Sequence, residues 1–239
     1  MEYKYTGIVL SKRDVGETDR IYTIYTLEGG KVRSLAKGVR KSHAKLAASL
    51  ENVTLADITI ARARGLGKIT GSIVENNFSS LKQDLDALTE TFAGLHIFDK
   101  LVDYENPDPQ IFVLLRSYLE AVDCLAAVGG VEKQTLLRLG FLVKLLHALG
   151  YALEMNCCVA CGEILSENFL HFSSQAGGVL CEHCSQDSDN QALPIRANAV
   201  KMMRLFLKNN MTTLAKIQAS REDCDSARLV VDDFLRWTL

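Results

Sequence analysis

The chain has 239 residues, of which 48% are hydrophobic and 23% are charged, as in ordinary globular proteins. This length predicts one or two domains, and the composition excludes a disordered tail and a disulfide-dense mini-protein. No apolar run approaches the roughly 20 residues that span a bilayer, and the N-terminus lacks the apolar segment of a secretory signal. We therefore expect a soluble cytoplasmic protein, with no membrane partner, whose seven cysteines remain reduced.

The net charge of −2 conceals an uneven distribution along the chain. Residues 1–80 contain 13 basic and 8 acidic residues, whereas residues 81–239 contain 14 basic and 21 acidic ones. Such a polarised molecule could bind a polyanion through its basic N-terminal part, whereas its acidic remainder would repel the same ligand.

Five short segments rich in β-branched and aromatic residues, separated by glycine-containing turns, predict a small β-barrel over residues 1–80. The predicted strands are Tyr5–Leu10, Arg20–Thr26, Val32–Ala36, Val53–Ala61 and Ile69–Val74. Ser42–Ala48 could form a short helix or a loop. Tyr22 and Tyr25 are three residues apart on one strand and therefore face opposite sides, so we expect one of them in the barrel core.

From about residue 81 the apolar residues recur every three or four positions, which predicts helices. The predicted helices are Leu81–Tyr104, Gln110–Val128, Val131–Leu149, Arg196–Leu207 and Arg221–Trp237. The third is apolar on nearly all sides, which is typical of a helix buried between others. Residues 156–186 differ from these helices because they are rich in cysteine and glycine.

The strongest motif is a pair of Cys-x2-Cys sequences, Cys158 with Cys161 and Cys181 with Cys184. Nineteen residues separate the two pairs, a spacing typical of four-cysteine zinc sites. Four thiolates complete a tetrahedral coordination sphere and leave no position for a water nucleophile, so the zinc would be structural. It would stabilise a small segment with little apolar content.

Other assignments of the cysteines remain open at this point. Cys157 or His183 could replace one of the four ligands, and the two pairs could instead be reducible dithiols. Cys124 and Cys224 fall in predicted helices, where we expect small buried hydrophobic residues.

The stretch between Glu28 and Glu51 is basic and contains no acidic residue. It contains Lys31, Arg33, Lys37, Arg40, Lys41 and Lys45. Arg62, Arg64 and Lys68 flank the last turn of the predicted barrel. Loops at the rim of a small barrel can bind a phosphate backbone, although a solvated charged face would have the same composition.

Motifs for catalysis are missing from the sequence. The Gly67-Lys68 dipeptide has Arg62 and Ile69 where a phosphate-binding loop requires glycine and Ser or Thr. The residues alone therefore indicate no catalytic site.

A series of short motifs runs in a fixed order along almost the whole chain. They are Gly7–Leu10, Gly16–Ile21, Thr26–Lys31, Ala36–Arg40, Gly65–Gly67, Leu149–Tyr151 and Cys158–Gly162. In this order they resemble the RecO family of bacterial recombination mediators.

The resemblance implies an α+β multidomain fold, in which a five-stranded oligonucleotide-binding (OB) barrel precedes an all-helical domain carrying a small four-cysteine zinc-binding insert. The expected boundaries are 1–80 for the OB domain, 81–155 and 187–239 for the two parts of the helical domain, and 156–186 for the insert.

The resemblance also implies a function in DNA repair in the bacterial cytoplasm, associated with the nucleoid. Family members bind single- and double-stranded DNA, anneal complementary strands, and bind RecR and the C-terminal tail of the single-stranded-DNA-binding protein SSB. Together these proteins help to load RecA onto coated single strands. Members of the family are not enzymes, so the resemblance implies that this protein is not one. The expected phosphate contacts are Arg33, Lys37, Arg40, Lys41, Lys45, Arg62 and Arg64.

The SSB tail, which is acidic with an apolar tip, would require a hydrophobic pocket with a basic rim in the helical domain. Candidates by residue type are Lys133, Arg138 and Lys144. Two functions from other classes remain as alternatives: a zinc-ribbon adaptor that binds an acidic protein instead of DNA, and a thiol-based redox sensor.

Overall fold

The computed structural model describes residues 1–44, 46–62, 65–126, 130–166, 170–186 and 192–239. The N-terminal part is a closed five-stranded barrel, as predicted, with strand order β1-β2-β3-β5-β4. Its elements are β1 (Glu2–Val15), β2 (Asp19–Thr26), β3 (Gly30–Ala36), β4 (Leu55–Ala61), β5 (Gly67–Asn76) and one 3₁₀ turn (Ala48–Leu50). This is the architecture of an OB fold.

The first strand is long enough to pair with two partners. Residues 2–8 pair with β4 and residues 7–15 pair with β2, and the register shifts between Val9 and Ser11. Such a bulge bends a strand and helps a sheet to close. Side chains that alternate along the strands, among them Val9, Tyr22 and Ile24, fill the interior of the barrel.

The remainder of the chain is mostly helical. Its helices are α1 (Ser79–Gln83), α2 (Leu85–Leu101), α3 (Pro109–Ala126), α4 (Val131–Ala148), α5 (Glu182–Ser185), α6 (Ala197–Lys208), α7 (Met211–Leu214) and α8 (Arg221–Thr238). The predicted first helix is divided at Asp84, whose extended backbone ends α1 and whose carboxylate accepts a hydrogen bond from Ala87 N at 2.8 Å. Asp84 therefore caps a second helix. The prediction that α4 is buried is confirmed, because its residues 134–143 are all buried.

A small sheet follows α4. It consists of β6 (His171–Ser173), β7 (Gly178–Leu180) and β8 (Ala192–Pro194), in the order β7-β6-β8. The sheet therefore continues beyond residue 186, where we expected the insert to end. It packs against α8 through Phe172, whose ring centroid lies 6.0 Å from that of Phe234, and through a 2.6 Å hydrogen bond from Ser174 Oγ to Asp233.

The outer face of the barrel and the helices share one hydrophobic core, which is separate from the core inside the barrel. Tyr25 points outward from β2 and is fully buried against α2 and α3. Its ring centroid lies 5.0 Å from that of Phe98, edge to face, and 6.3 Å from that of Phe112, and its hydroxyl donates to Asp108 O at 3.4 Å. Both Tyr22 and Tyr25 are thus core residues, although they face opposite sides of the strand.

Lys31 also connects the barrel to the helical part of the chain, because its side chain is buried where the two parts meet. Only 4% of Lys31 is exposed. Its ammonium lies 3.3 Å from Asp99 Oδ1 and 4.2 Å from the ring centroid of Tyr104, and its carbonyl accepts from Glu105 N at 2.9 Å. The preceding residue, Gly30, has φ +65°, and a Cβ there would lie 2.5 Å from the backbone of Asn106, so this close approach requires glycine.

Among the described residues, no helix is both long and apolar enough to cross a membrane.

Tyr25 provides a test of this shared core. We expect Tyr25→Ala to lower the free energy of unfolding by about 3–5 kcal/mol, because it leaves a cavity between Phe98 and Phe112. Tyr25→Phe should lower it by no more than ~1 kcal/mol, because it removes only one long hydrogen bond. Urea denaturation measures both values, and equal unfolding midpoints for the two variants would contradict the shared core.

Candidate functional site

The four cysteines of the two motifs come together at one end of the small sheet. The Sγ atoms of Cys158, Cys161, Cys181 and Cys184 all lie within 4.8 Å of one another, so the group could hold a metal ion. A tetrahedral site with metal–sulfur bonds of ~2.3 Å has edges of about 3.8 Å. The distance of 3.9 Å between the Sγ atoms of Cys161 and Cys181 fits that geometry closely.

The backbone around Cys158 favours the thiolate form of this cysteine. Gly162 has φ +77° and donates its N–H to Cys158 O at 2.9 Å, which closes a tight turn. Burial tends to raise the pKa of Cys158, but the N–H groups of Cys161, Cys181 and Ala160 point at its sulfur and lower that pKa to about 6. A thiolate is the form that binds a metal ion.

The two alternative ligands lie outside the cluster. Cys157 and His183 do not belong to the group of metal-ligating side chains among the described residues. The backbone N–H of Cys157 donates to Glu154 at 3.2 Å. Of the other two cysteines, Cys224 is buried, as predicted, whereas the prediction for Cys124 was wrong, because it is exposed.

The basic loop after β3 is held in place by the turn between β1 and β2. The carboxylate of Asp19 accepts hydrogen bonds from Gly38 N at 2.7 Å and from Thr18 Oγ1 at 3.0 Å. The hydrogen bond from Gly38, followed by that from Thr18, lowers the pKa of Asp19, which therefore remains ionised. This contact fixes the loop from which Lys37 and Lys41 project, both of them exposed.

Arg40 is partly neutralised by an acidic neighbour. Its Nε lies 3.4 Å from Asp14, which also accepts a 2.6 Å hydrogen bond from Arg20. Two arginines share one carboxylate, so the group of three retains one net positive charge. About a third of the Arg40 side chain remains exposed, at 37%.

The other predicted phosphate contacts lie in different surroundings. Arg33 is exposed on β3, with its guanidinium 4.6 Å from the ring centroid of Tyr104. Arg62 forms an ion pair with Glu105, whose carboxylate raises its pKa. Lys45 and Arg64 lie outside the described residues.

Sequence reasoning missed Arg13, which is exposed on the same face of the barrel as Arg33. Ser11 pairs with Thr23, which in turn pairs with Arg33, and Arg13 follows Ser11 by two residues. No ion pair of the described residues involves Arg13. The strand prediction ended at Leu10, so the alternation that places Arg13 on this face was not considered.

The three candidate contacts for the SSB tail do not lie together. Arg138 is buried and forms a 2.6 Å ion pair with Glu90, which is also largely buried, so this arginine cannot form part of an open rim. Lys133 is exposed and Lys144 is half-buried. They are separated by eleven residues, or about three helical turns, and so lie on the same side of α4, about 16 Å apart. Burial lowers the pKa of Lys144.

Comparison with known proteins agrees with this architecture. The family models for the N-terminal and C-terminal parts of recombination protein O match residues 1–78 and 82–239. The chain belongs to the RecO family.

Relatives that carry the name DNA repair protein RecO occur in several bacteria. The protein of Dehalococcoides mccartyi is 27% identical over the whole chain, which covers 91% of that relative. The protein of Roseiflexus sp. (strain RS-1) is 33% identical over 91% of this chain and 74% of its own length. The protein of Listeria welshimeri is 29% identical over 97% of this chain and 87% of its own length. The chain is thus similar along its length to members of a family of DNA repair proteins.

The neighbouring cysteines Cys157 and Cys158 offer a matched test of the metal cluster in this RecO family member. We expect about one bound metal ion per chain in the wild type and in Cys157→Ser. We expect much less in Cys158→Ser, because three thiolates leave the tetrahedral site incomplete. Elemental analysis after dialysis measures the content. Equal losses in both variants would show that Cys157 is a ligand.

Proposed function

We propose that this protein is a non-enzymatic DNA-binding recombination mediator. It binds single- and double-stranded DNA, anneals complementary strands, and with RecR helps to load RecA onto SSB-coated single strands. The observation that carries the proposal is the fixed basic loop beside one face of the closed barrel. The exposed lysines of this loop, Lys37 and Lys41, are free of ion pairs with the described residues. Membership of a DNA repair family supports the same conclusion.

Contacts to phosphate suit this task. They carry little information about base sequence, which fits a protein that acts wherever DNA is damaged. Annealing requires that two strands approach despite their charge, and positive side chains along one face lower that repulsion. The acidic residues that predominate after residue 80 would keep the strands on the barrel side of the molecule.

Within the proposed surface, Lys37 and Lys41 have the leading role and Arg13, Arg33 and Arg40 extend it. The ion pair between Arg62 and Glu105 would have to break before Arg62 could bind a phosphate. We therefore do not include Arg62 among the residues that first contact the DNA. Lys45 and Arg64 remain candidates by their position in the sequence.

We propose that the metal is zinc and that it is structural. The support is chemical, because four thiolates at tetrahedral spacing are the preferred ligand set of zinc. When bound, zinc would cross-link the segment that begins at Cys158 to the segment that begins at Cys181, on both sides of the β6–β7 hairpin. The residues of the sheet would then be held for packing against α8.

For the acidic SSB tail we retain Lys144 and Lys133 and omit Arg138. No ion pair of the described residues involves Lys144, and its ammonium is partly desolvated. A carboxylate of the tail would therefore gain more binding free energy from Lys144 than from a fully hydrated lysine.

The proposed partners RecR and RecA are assigned on membership of the family alone. The proposed location at the bacterial nucleoid in the cytoplasm follows from the proposed role.

A salt series tests DNA binding. For a labelled single-stranded oligonucleotide, the slope of log K against log salt should be about 1.4 shallower in a Lys37→Ala/Lys41→Ala variant, because each lost phosphate contact removes roughly 0.7. Fluorescence anisotropy measures the binding. The matched control is Lys208→Ala/Lys216→Ala, which removes two exposed lysines of the helical domain and should keep the wild-type slope.

Two results would contradict the proposal. A wild-type slope near zero would exclude phosphate contacts. Failure to bind any oligonucleotide at ~0.15 M salt would favour the alternative of a zinc-ribbon adaptor, in which the same loop binds an acidic protein.

A peptide of the acidic SSB tail tests the second surface. We expect Lys144→Ala to weaken peptide binding by about tenfold, which corresponds to ~1.4 kcal/mol, because the variant removes a partly desolvated partner for a carboxylate. Titration of a labelled peptide measures the affinity, with Lys208→Ala as the control. Unchanged affinity in Lys144→Ala would remove this residue from the tail site.

A further inference from the structure

A groove lies on the outer face of the barrel, where β1, β2 and β3 meet the end of α2. Its volume is about 310 Å³, at the lower end of the range for small-molecule sites, roughly 300–1,000 Å³. The lining residues from the barrel are Ser11, Arg13, Ile21, Thr23, Arg33 and Leu66. Two guanidinium groups, two hydroxyls and two aliphatic side chains therefore face one small space.

Arg33 is held in place before any ligand arrives. The ring of Tyr104, from the segment after α2, lies against its guanidinium at 4.6 Å. A guanidinium is planar and has two faces. Tyr104 lies on one side of this group, and the groove that Arg33 also lines offers space for a second planar ring to stack on it.

The remaining groups suit the other parts of a nucleotide. Leu66 is 53% exposed at the turn between β4 and β5 and offers an apolar contact to a ring. Arg13 lies free of ion pairs with described residues and could bind the adjacent phosphate. Asp99 also lines the groove, and its side chain is 40% exposed. A carboxylate can accept a hydrogen bond from an amino or imino group on the edge of a base.

We infer that this groove binds one unpaired nucleobase of a single strand, stacked on the guanidinium of Arg33, with Arg13 on the neighbouring phosphate. This inference rests on the proposed DNA binding and adds a contact to the base itself. In a duplex the bases are stacked and paired, so their faces cannot enter the groove. The groove would thus favour single strands and would release a base when it pairs during annealing.

An abasic oligonucleotide separates the base contact from the phosphate contacts. We would compare an oligothymidine with an abasic strand of the same length, which carries the same phosphates without bases. The wild type should bind the oligothymidine about tenfold more tightly, within the range measured for base stacking on protein side chains. Fluorescence anisotropy at one salt concentration gives both affinities.

Arg33→Lys keeps the charge and removes the planar platform. We expect it to lose most of the tenfold preference, whatever its affinity for the abasic strand, because only the contact to the base disappears. A circular dichroism spectrum equal to that of the wild type would show that the variant is folded. Arg116→Lys, an equivalent change on the exposed surface of α3, should keep the preference.

Three outcomes would overturn the inference. Equal binding of both strands by the wild type would exclude the base site and leave DNA binding intact. A full preference in Arg33→Lys would exclude stacking on this guanidinium. Failure of the wild type to bind either strand would refute the proposed function together with the base site.

Discussion

The packing of the outer surface of the barrel against α2 and α3 is the contact on which the rest of the molecule depends. Tyr22 points into the barrel, whereas Tyr25 points outward and lies between Phe98 and Phe112. The ammonium group of Lys31 is buried beside Asp99 and Tyr104. A buried lysine without partners would carry a large desolvation penalty, so the ring and the carboxylate are needed for this approach. One consequence is that the barrel has a fixed orientation on the helices. A second is that Tyr104 and Asp99 lie beside the β1–β2–β3 face.

The basic stretch illustrates how a uniform charge pattern in sequence acquires different roles in three dimensions. Lys31 is buried between the barrel and the helices, Arg33 lies over the ring of Tyr104, and Arg40 shares Asp14 with Arg20. Among the described basic residues of this stretch, Lys37 and Lys41 are exposed with neither an ion pair nor a contact to an aromatic ring. The acidic residues that flank the β1–β2 turn contribute to this result, because Asp19, the first residue of β2, fixes the loop through Gly38. Its neighbour Asp14 reduces the positive charge beside that loop.

The parts of the structure that could be predicted from the sequence depend on local pattern. Runs rich in β-branched and aromatic residues indicated all five barrel strands. The spacing of Cys158, Cys161, Cys181 and Cys184 indicated the cluster, because a metal site requires short-range geometry within each motif. The parts that could not be predicted depend on contacts between distant segments. Glu90 lies 48 residues from Arg138, and Asp99 lies 68 residues from Lys31. The sequence pattern around each cation therefore gave no indication of its ion-pair partner. The division of the first helix at Asp84 was missed for a different reason: the capping residue was present, but the apolar spacing continued across it.

The packing of the small sheet on α8 links the metal cluster to the end of the chain. Phe172 lies in β6, the central strand of the sheet, and its ring meets Phe234, which also stacks on Trp237 with centroids 6.1 Å apart. Met155, three residues before the first ligand, accepts a 2.7 Å hydrogen bond from Arg204 of α6. The cysteine cluster and the two closing helices are therefore connected by direct contacts, and we expect them to unfold locally as one unit. On the proposal that the cluster binds an ion, removal of that ion would reduce the protection of amide protons in α6 and α8 as well as in the sheet. The affinity for the ion would in turn depend on how well these helices are folded.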